Sequence, residues 1–208
     1  MIKEPIVTPI FPTTLYIAEM ERDFSKKEKE YIYEKDKELI INTGNKNSKE
    51  RNVLDIENLI DLKLLLEDHI KNYIFEVLKA KKTFEPFITQ SWINYTDPGS
   101  YHHEHDHPNS FLSGVVYIQT NNNDCINLYK TNYHQIDIPI EEYNIFNSSS
   151  WRIPVKNGTI FLFPSSLRHS VPVVTGDKTR VSLSFNTFVK GTIGDKERLT
   201  EVNICNNH

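Results

Sequence analysis

A run of histidines is the clearest chemical signal in this 208-residue chain. Four of its eight histidines fall within the segment 101–107, YHHEHDH, directly before an apolar stretch. Alternate side chains of an extended chain share a face. The segment therefore offers two faces: His103, His105 and His107, or His102, Glu104 and Asp106. Imidazole suits iron, copper, nickel and zinc, so either face could give a metal ion two ligands. The alternative is a solvated, charged loop that is rich in histidine by chance.

A second group of candidates lies downstream in the segment 158–186, GTIFLFPSSLRHSVPVVTGDKTRVSLSFN. A strand-like run ends near His169, and the Gly-Asp pair that follows is typical of a hairpin turn. Arg180 and Ser182 lie two residues apart on the returning strand and so share a face. A guanidinium and a hydroxyl at this spacing can bind a carboxylate inside a barrel, where an unpaired arginine is costly. Taken alone, the pair is better explained by an arginine salt-bridged to an acidic neighbour and a core serine.

Short β-type runs separated by turn residues follow residue 83. They predict an antiparallel sandwich or barrel, because no helical pattern intervenes. The predicted strands are 87–95 (FITQSWINY), 111–119 (FLSGVVYIQ), 125–130 (CINLYK), 151–155 (WRIPV), 158–164 (GTIFLFP), 169–174 (HSVPVV) and 180–189 (RVSLSFNTFV).

The first part of the chain has a different pattern. Segment 5–20, rich in proline and β-branched residues, predicts an extended edge strand. Helix formers dominate 24–40, which predicts a surface helix, and the polar segment 41–52 predicts a mobile loop. Asp55 is a candidate N-cap for a longer helix over 56–82, where apolar residues recur at three- and four-residue steps.

Helices first and strands afterwards predict a mainly β protein with N-terminal helices. We expect one domain over 1–208, built around a double-stranded β-helix, the jelly-roll or cupin-like core, braced by α-helices. Residues 1–83 would form the N-terminal strand and supporting helices, 84–190 the jelly-roll catalytic core, and 191–208 a C-terminal tail.

Composition argues against several classes of function. The formal net charge of −4 and the pI near 6.1 provide no basic field for a phosphate backbone, so we expect no nucleic-acid partner. Cys125 and Cys205 fit neither a disulfide framework nor a zinc motif. No apolar run approaches the roughly 18 residues of a membrane span, so we expect a soluble, cytoplasmic protein without membrane contacts.

The segments 92–118 (WINYTDPGSYHHEHDHPNSFLSGVVYI) and 158–186 resemble the core of the 2-oxoglutarate/Fe(II)-dependent oxygenase family, in the subgroup of marine bacteria and phages. The family's ordered pattern is a metal-binding His-x-carboxylate, a distant metal-binding histidine, and an Arg-x-Ser that binds the cosubstrate. His169, Arg180 and Ser182 match the second half of that pattern. The resemblance implies Fe(II), 2-oxoglutarate as cosubstrate, and O2.

The first half of the family pattern is altered in this chain. The resemblance aligns His105 and His107 with it, which places histidine where a carboxylate is usual and implies His105, His107 and His169 as the catalytic metal ligands. The competing set joins His102 and Glu104 to His169. A local bulge that turns Asp106 inward is a third arrangement.

Further candidates have subsidiary roles. Tyr95 and Tyr101 could bind the cosubstrate carboxylate, and Asn94 and Asn186 could orient the ligands. Substrate selection would come from loops, of which 120–124 and 131–150 are candidates. His134, in the second loop, is expected to be a surface residue.

The resemblance implies a hydroxylase-type dioxygenase that releases succinate and CO2. Its substrate, a small molecule or a peptide or protein, is not evident from the sequence. A dimer is compatible with the sequence, and a phage-encoded chain would act in the host cytoplasm. Two alternatives are a three-histidine, cupin-like metal enzyme that does not use 2-oxoglutarate, and a non-catalytic binding module on the same fold.

Overall fold

The computed structural model describes residues 5–34, 38–130 and 139–205, which form twelve strands and two α-helices. The strands are β1 (Tyr16–Glu19), β2 (Leu39–Asn42), β3 (Asn45–Ser48), β4 (Phe84–Thr96), β5 (His102–His105), β6 (Leu112–Gln119), β7 (Cys125–Tyr129), β8 (Ser150–Pro154), β9 (Thr159–Pro164), β10 (His169–Val171), β11 (Arg180–Ile193) and β12 (Val202–Ile204). The helices are α1 (Lys26–Ile32) and α2 (Ile60–Lys71). Two 3-10 turns, Val53–Asp55 and Glu57–Leu59, precede α2, and a π-helical segment, Asn72–Val77, follows it.

Two antiparallel sheets make up the body of the protein. The larger has the strand order β1-β9-β6-β11-β4-β3-β2, with β12 paired to the end of β11, and the smaller has the order β5-β10-β7-β8. All seven predicted β runs coincide with strands. This confirms the mainly β, jelly-roll architecture braced by N-terminal helices that the sequence predicted.

Side-chain alternation gives the larger sheet one apolar face and one mixed face. On β11 the odd-numbered residues Val181, Leu183 and Phe185 are buried in the same cluster as Leu62 and Leu66 of α2. The even-numbered residues Arg180 and Ser182 line a cavity that also contains residues of the smaller sheet. Even-numbered residues in this part of β11 therefore face the cavity, and odd-numbered residues face the core.

Helix α2 covers the apolar face. Leu62, Leu66 and Ile70, each four residues apart, are at most 1% exposed, so the helix buries one continuous stripe. Truncating one of these side chains to alanine would cost about 2–5 kcal/mol. The predicted helix exists, but Asp55 is not its N-cap: Asp55 ends a 3-10 turn, and the residue before α2 is Leu59, which has no side-chain capping bond.

The first helix is shorter than predicted. Ser25 and Glu28 form a capping box at the start of α1, and Glu28 is fully buried against Arg22, with side-chain atoms 2.7 Å apart. The helix ends at Ile32, and Leu39 and Ile40 belong to β2. The prediction of one helix over 24–40 was therefore wrong at its C-terminal end.

The segment 41–52 contains a β-hairpin where the sequence predicted a mobile loop. Strands β2 and β3 pair around Gly44, whose φ of +87° suits a turn, and β3 continues into the larger sheet through β4. The interior residues of β3 are polar: Asn45, Asn47 and Ser48 are buried. The alternation of apolar and polar residues that usually predicts a strand is therefore absent from β3. In the described residues no helix is long and apolar enough to cross a membrane.

Candidate metal and cosubstrate site

Strands β5 and β10 bring the predicted metal ligands together. His105 and His169 are Cα partners in this pair, and their ring centroids are 4.3 Å apart. His107, just beyond β5, lies 5.0 Å from the His105 ring and 5.1 Å from the His169 ring. One ring nitrogen from each histidine lies within 4.8 Å of the others, a spacing that could hold a metal ion.

Backbone hydrogen bonds fix the orientation of two of these rings. The Nδ1 of His105 lies 2.8 Å from the carbonyl oxygen of His103, and the Nδ1 of His169 lies 3.0 Å from that of Leu167. A carbonyl oxygen can only accept, so each Nδ1 carries the proton and donates it. The Nε2 lone pairs are left free for a metal, and the carbonyls hold the rings as outer ligands of metal sites do.

Burial keeps these imidazoles neutral. Desolvation lowers the pKa of His169 to about 3 and that of His107 to about 4, with neighbouring histidines adding to the effect in each case. The pKa of His105 is also lowered, first by burial. Histidine binds metals in its neutral form, so no proton competes with a metal ion near pH 7.

A bulge in β5 adds a fourth histidine to the cavity. His169 pairs with His105 and Val171 pairs with His102, so three steps along β5 match two along β10. The extra residue breaks the strict alternation assumed from the sequence. His102 therefore faces the cavity together with His105 and His107, although their numbers differ in parity.

The structure does not assemble the two alternative ligand sets. Glu104 points to the outer surface and forms an ion pair with Arg168 at 3.1 Å. Asp106 is exposed and does not line the cavity, so the bulge does not turn it inward. The predicted set of His105, His107 and His169 is brought together by the fold. A second histidine group at similar spacing, His102, His103 and His105, lies along β5 itself.

A cavity lies between the two sheets, and Arg180 is one of the residues that line it. This arginine is 4% exposed, and its Nη1 donates to the carbonyl oxygen of Cys125 at 3.2 Å. Its Nε is buried without a hydrogen-bond partner, and no carboxylate of the described residues forms an ion pair with it. The salt-bridged alternative considered from the sequence is therefore absent, and a buried cation is left with unused donors.

Two hydroxyl groups accompany Arg180. Ser182, two residues along β11, lines the same cavity and is 4% exposed. Tyr117 on β6 is Ser182's Cα partner, and the guanidinium carbon of Arg180 lies 5.3 Å from the Tyr117 ring centroid. The Tyr117 hydroxyl is fully buried without a hydrogen-bond partner, and burial raises its pKa to about 12. It stays protonated at neutral pH and can donate.

The structure brings neither Tyr95 nor Tyr101 to the cavity, which corrects the expectation that they bind the cosubstrate. Tyr95 faces away from the cavity, because its neighbours on β4, Asn94 and Thr96, line it. The hydroxyl of Tyr95 donates to the carbonyl oxygen of Ile32 at 2.6 Å. Tyr101 lies on the connection before β5, half-exposed and packed beside Gly44. Tyr117 is the tyrosine that the sequence did not single out, because its proximity to Arg180 depends on the pairing of β6 with β11.

The two asparagines expected near the site are there. Asn94 lines the cavity, its Nδ2 donating to Ser184 Oγ at 2.9 Å. The Oδ1 of Asn186 accepts from the cavity-lining Ser113 at 2.9 Å. Of the two proposed specificity loops, residues 131–138, which include His134, lie outside the described residues.

The donor set fits the groups that the sequence implied. Three neutral imidazoles suit a first-row transition metal and leave coordination positions open. The unpaired donors of Arg180, with the hydroxyls of Ser182 and Tyr117, suit a carboxylate of a second ligand.

Comparison with protein families agrees with this geometry. Residues 90–186 match the family model described as "Putative 2OG-Fe(II) oxygenase". This part of the chain is therefore similar to 2OG-Fe(II) oxygenases. The matched part of the chain runs from β4 to the middle of β11, and so includes all three histidines and Arg180. No curated protein matches the chain by sequence.

Solved structures share the oxygenase fold at low sequence identity. A 2OG-Fe(II) oxygenase family oxidoreductase from Burkholderia pseudomallei is 14% identical, with 83% of each chain covered and a TM-score of 0.57. SnoN, an alpha-ketoglutarate-dependent epimerase from nogalamycin biosynthesis, is 11% identical, with 86% of this chain and 81% of SnoN covered and a TM-score of 0.60. HygX from Streptomyces hygroscopicus, solved with nickel, 2-oxoglutarate and hygromycin B, is 12% identical, with 84% and 82% covered and a TM-score of 0.56. These likenesses support the double-stranded β-helix fold predicted from the sequence.

Proposed function

We propose that the protein is a non-haem Fe(II) and 2-oxoglutarate-dependent dioxygenase that hydroxylates its substrate and releases succinate and CO2. The observation that carries the proposal is Arg180, a buried cation with an unpartnered Nε in the cavity that contains the three-histidine group. An unpaired buried charge is costly, so the folded protein has a site that favours an anionic ligand. The dicarboxylate 2-oxoglutarate is such a ligand.

Each residue has a definable task in this proposal. His105, His107 and His169 hold Fe(II) through ring nitrogens, which in His105 and His169 are the Nε2 atoms left free by the Nδ1 hydrogen bonds to backbone carbonyls. Arg180 binds the cosubstrate carboxylate remote from the metal, and the hydroxyls of Ser182 and Tyr117 donate to the same group. Together, Fe(II), 2-oxoglutarate and O2 supply the oxidant that hydroxylates an unactivated carbon. The apolar lining residues Phe163 and Val115 limit access of water to the centre.

The test is 2-oxoglutarate binding by Ni(II)-loaded protein, followed by calorimetry. We expect Arg180→Leu to weaken binding by about 100-fold or more, because it removes the charge-assisted hydrogen bonds. Arg152→Leu, at an exposed arginine, is the matched control and should bind as the wild type does. Arg180→Lys, which keeps the charge without the fork, should be intermediate.

Succinate formation from 2-oxoglutarate with Fe(II) provides the second readout, and His169→Ala should abolish it. Failure of the wild type to bind 2-oxoglutarate, or equal binding by Arg180→Leu, would overturn the proposal. Metal binding combined with either failure would favour the three-histidine enzyme that does not use 2-oxoglutarate. Absence of metal binding would favour a non-catalytic module.

A further inference from the structure

The second histidine group, along β5, lies next to the proposed iron ligands. One ring nitrogen from each of His102, His103 and His105 lies within 4.8 Å of the others. The ring centroid of His103 is 5.1 Å from that of His102 and 5.1 Å from that of His105, and the last two are 4.4 Å apart. We call these three residues the outer group, and we call His105, His107 and His169 the inner group. The proposed function uses the inner group alone.

The bulge in β5 produces the outer group. Neighbouring residues of a regular strand point to opposite faces, which would separate the ring of His103 from that of His102. The bulge between His102 and His105 breaks this alternation, so the three rings can approach one another. The inner group does not depend on the bulge, because His105 pairs directly with His169 and His107 follows two residues later.

The two groups differ in their access to solvent. His103 is exposed, and His102 and His105 are half-buried, whereas His169 of the inner group is 7% exposed. An ion in solution can therefore reach His103 directly.

His105 belongs to both groups but has one lone pair to give. Its Nδ1 donates to the carbonyl oxygen of His103 at 2.8 Å, so its Nε2 is the atom that can bind a metal. A nitrogen lone pair binds one ion at a time. Full coordination of an ion by the outer group therefore removes one ligand from the inner group.

The contact between His102 and the β2–β3 hairpin is compatible with metal binding. The Nε2 of His102 lies 3.3 Å from the side-chain amide of Asn42. An asparagine amide can turn either its oxygen or its nitrogen toward the ring. With the oxygen turned toward His102, an Nε2–H donates to Asn42, and the Nδ1 lone pair is left for a metal.

The ligand types of the outer group favour a zinc-like ion. Imidazole suits Zn(II), and Zn(II) accepts four ligands, so water can complete a site of three histidines. Glu104, the carboxylate between His103 and His105, forms an ion pair with Arg168 at 3.1 Å. The outer group therefore offers imidazoles rather than the oxygen ligands that Mg(II) and Ca(II) prefer.

We propose that His102, His103 and His105 form a second, regulatory metal site for Zn(II), which weakens the inner site by taking His105 from it. Excess Zn(II) thereby releases the inner ion, which is left with His107 and His169. The inference rests on the proposed function for the identity of the inner ion as iron. Binding of Zn(II) to the outer group does not itself require 2-oxoglutarate.

Metal exchange in the wild-type protein tests this regulation. The protein is loaded with one equivalent of Co(II), and loss of the Co(II) visible absorption is followed after addition of Zn(II). We expect the rate of Co(II) loss to rise with Zn(II) concentration by about tenfold or more, because even a change outside the ligand shell weakens a metal site by about 10–100-fold. In His103→Ala the rate should be that of Co(II) dissociation alone and should not depend on Zn(II). His69→Ala, outside both groups, is the matched control and should behave as the wild type does.

Zn(II) binding by a protein without the other inner ligands provides the second readout. The variant His107→Gln/His169→Gln keeps His105, and we expect calorimetry to show one Zn(II) bound per chain. Adding His103→Ala should weaken this binding by about tenfold or more, whereas adding His69→Ala should not. Thermal unfolding verifies that the variants fold, and the exchange experiment leaves the buried histidines intact if they do not.

A rate of Co(II) loss that does not depend on Zn(II) in the wild type, or that depends on it equally in His103→Ala, would overturn the inference. Equal Zn(II) binding with and without His103 in the variant that lacks the inner ligands would also overturn it. Binding of 2-oxoglutarate by the Ni(II)-loaded wild type decides the proposed function separately. Zn(II) binding that depends on His103 in a protein that does not bind 2-oxoglutarate would reject the proposed function and retain the outer metal site.

Discussion

His105 and His169 face each other across the β5–β10 pair, and each ring is held by the carbonyl oxygen two residues earlier in its own strand or turn. The two histidines come from distant parts of the sequence, yet their orientation is set locally in the same way at both positions. The site is therefore pre-organised for a metal, because neither ring must turn to present its Nε2.

Removal of His169 is expected to abolish tight metal binding. In His169→Ala the site loses its most buried ligand, and we expect Co(II) affinity to fall by about 100-fold or more. Visible absorption of the Co(II) protein measures the effect. His69→Ala is the control, since His69 lies outside both histidine groups and its ring contacts Tyr16. A larger loss in the control than in His169→Ala would refute the ligand assignment.

Replacing Glu104 tests the competing ligand set. In the structure this carboxylate forms an exposed ion pair with Arg168, which contributes about 0–1 kcal/mol. We expect Glu104→Gln to keep the metal affinity within about twofold of the wild type and to change stability little. A drop of about tenfold in Co(II) affinity would instead show that Glu104 is a ligand.

The missing carboxylate can be restored at His107. Three neutral imidazoles leave the full charge of a divalent cation uncompensated, whereas His107→Asp would produce the two-histidine, one-carboxylate set. We expect this variant to bind Fe(II) more tightly relative to Cu(II), measured by competition under anaerobic conditions. Asn122→Asp adds the same charge at an exposed position outside both histidine groups and should not change the ratio. Equal selectivity in both variants would show that position 107 does not contact the metal.

Tyr117→Phe should weaken 2-oxoglutarate binding without lowering the stability of the ligand-free protein. The hydroxyl is buried without a partner, so its removal is expected to leave the unfolding free energy unchanged or raise it by about 1 kcal/mol. The same change should weaken 2-oxoglutarate binding by about tenfold through loss of a donor beside Arg180. Tyr129→Phe, which breaks a 2.8 Å hydrogen bond to Ser170, is the comparison and should lower stability. Unaltered 2-oxoglutarate affinity in Tyr117→Phe would remove this hydroxyl from the site.

Acid should destabilise the metal-free protein. The pKa values of His102 and His169 are lowered to about 3 and that of His107 to about 4, from an ordinary 6.5, mainly by burial. Below pH 6.5 the unfolded chain binds protons that the folded chain does not. The free energy of unfolding is therefore highest above pH 6.5 and falls as the pH decreases toward 4.

Urea denaturation at pH 7.5 and 5.5 measures this loss, which we expect to reach about 1 kcal/mol for each of these histidines at the lower pH. His107→Gln lacks one such group, so its loss over the same interval should be smaller by about 1 kcal/mol. Equal stability of the wild type at the two pH values would contradict the burial of neutral histidines.

Much of the fold could be predicted from the sequence, because apolar periodicity is strong in the segments that form the core. The stripe of α2 and the parity of β11, with apolar odd positions and polar even ones, both appear directly in the residue pattern. Arg180 and Ser182 could therefore be placed on one face before any pairing was known. The β2–β3 hairpin was missed because Asn45 and Asn47 are polar residues in a buried strand, so local composition indicated a loop.

Parts of the candidate site depend on tertiary pairing, and these were not available from the sequence. Strict alternation separated His102 from His105, because the bulge that reunites them arises from the register of β5 against β10. Tyr117 lies in an apolar strand with nothing local to distinguish it, and its relation to Arg180 comes from the pairing of β6 with β11. Tyr95 and Tyr101 were chosen by proximity in sequence, which does not specify the face of a strand.

The bulge in β5 also indicates where the site tolerates a change in chain length. Three residue steps on β5 match two on β10, so deleting either His103 or Glu104 would leave a regular ladder with His102, His105 and His107 still on the cavity side. An inserted residue within β10 would instead move His169 out of step with His105. A change in chain length can therefore be accommodated in β5 but not in β10.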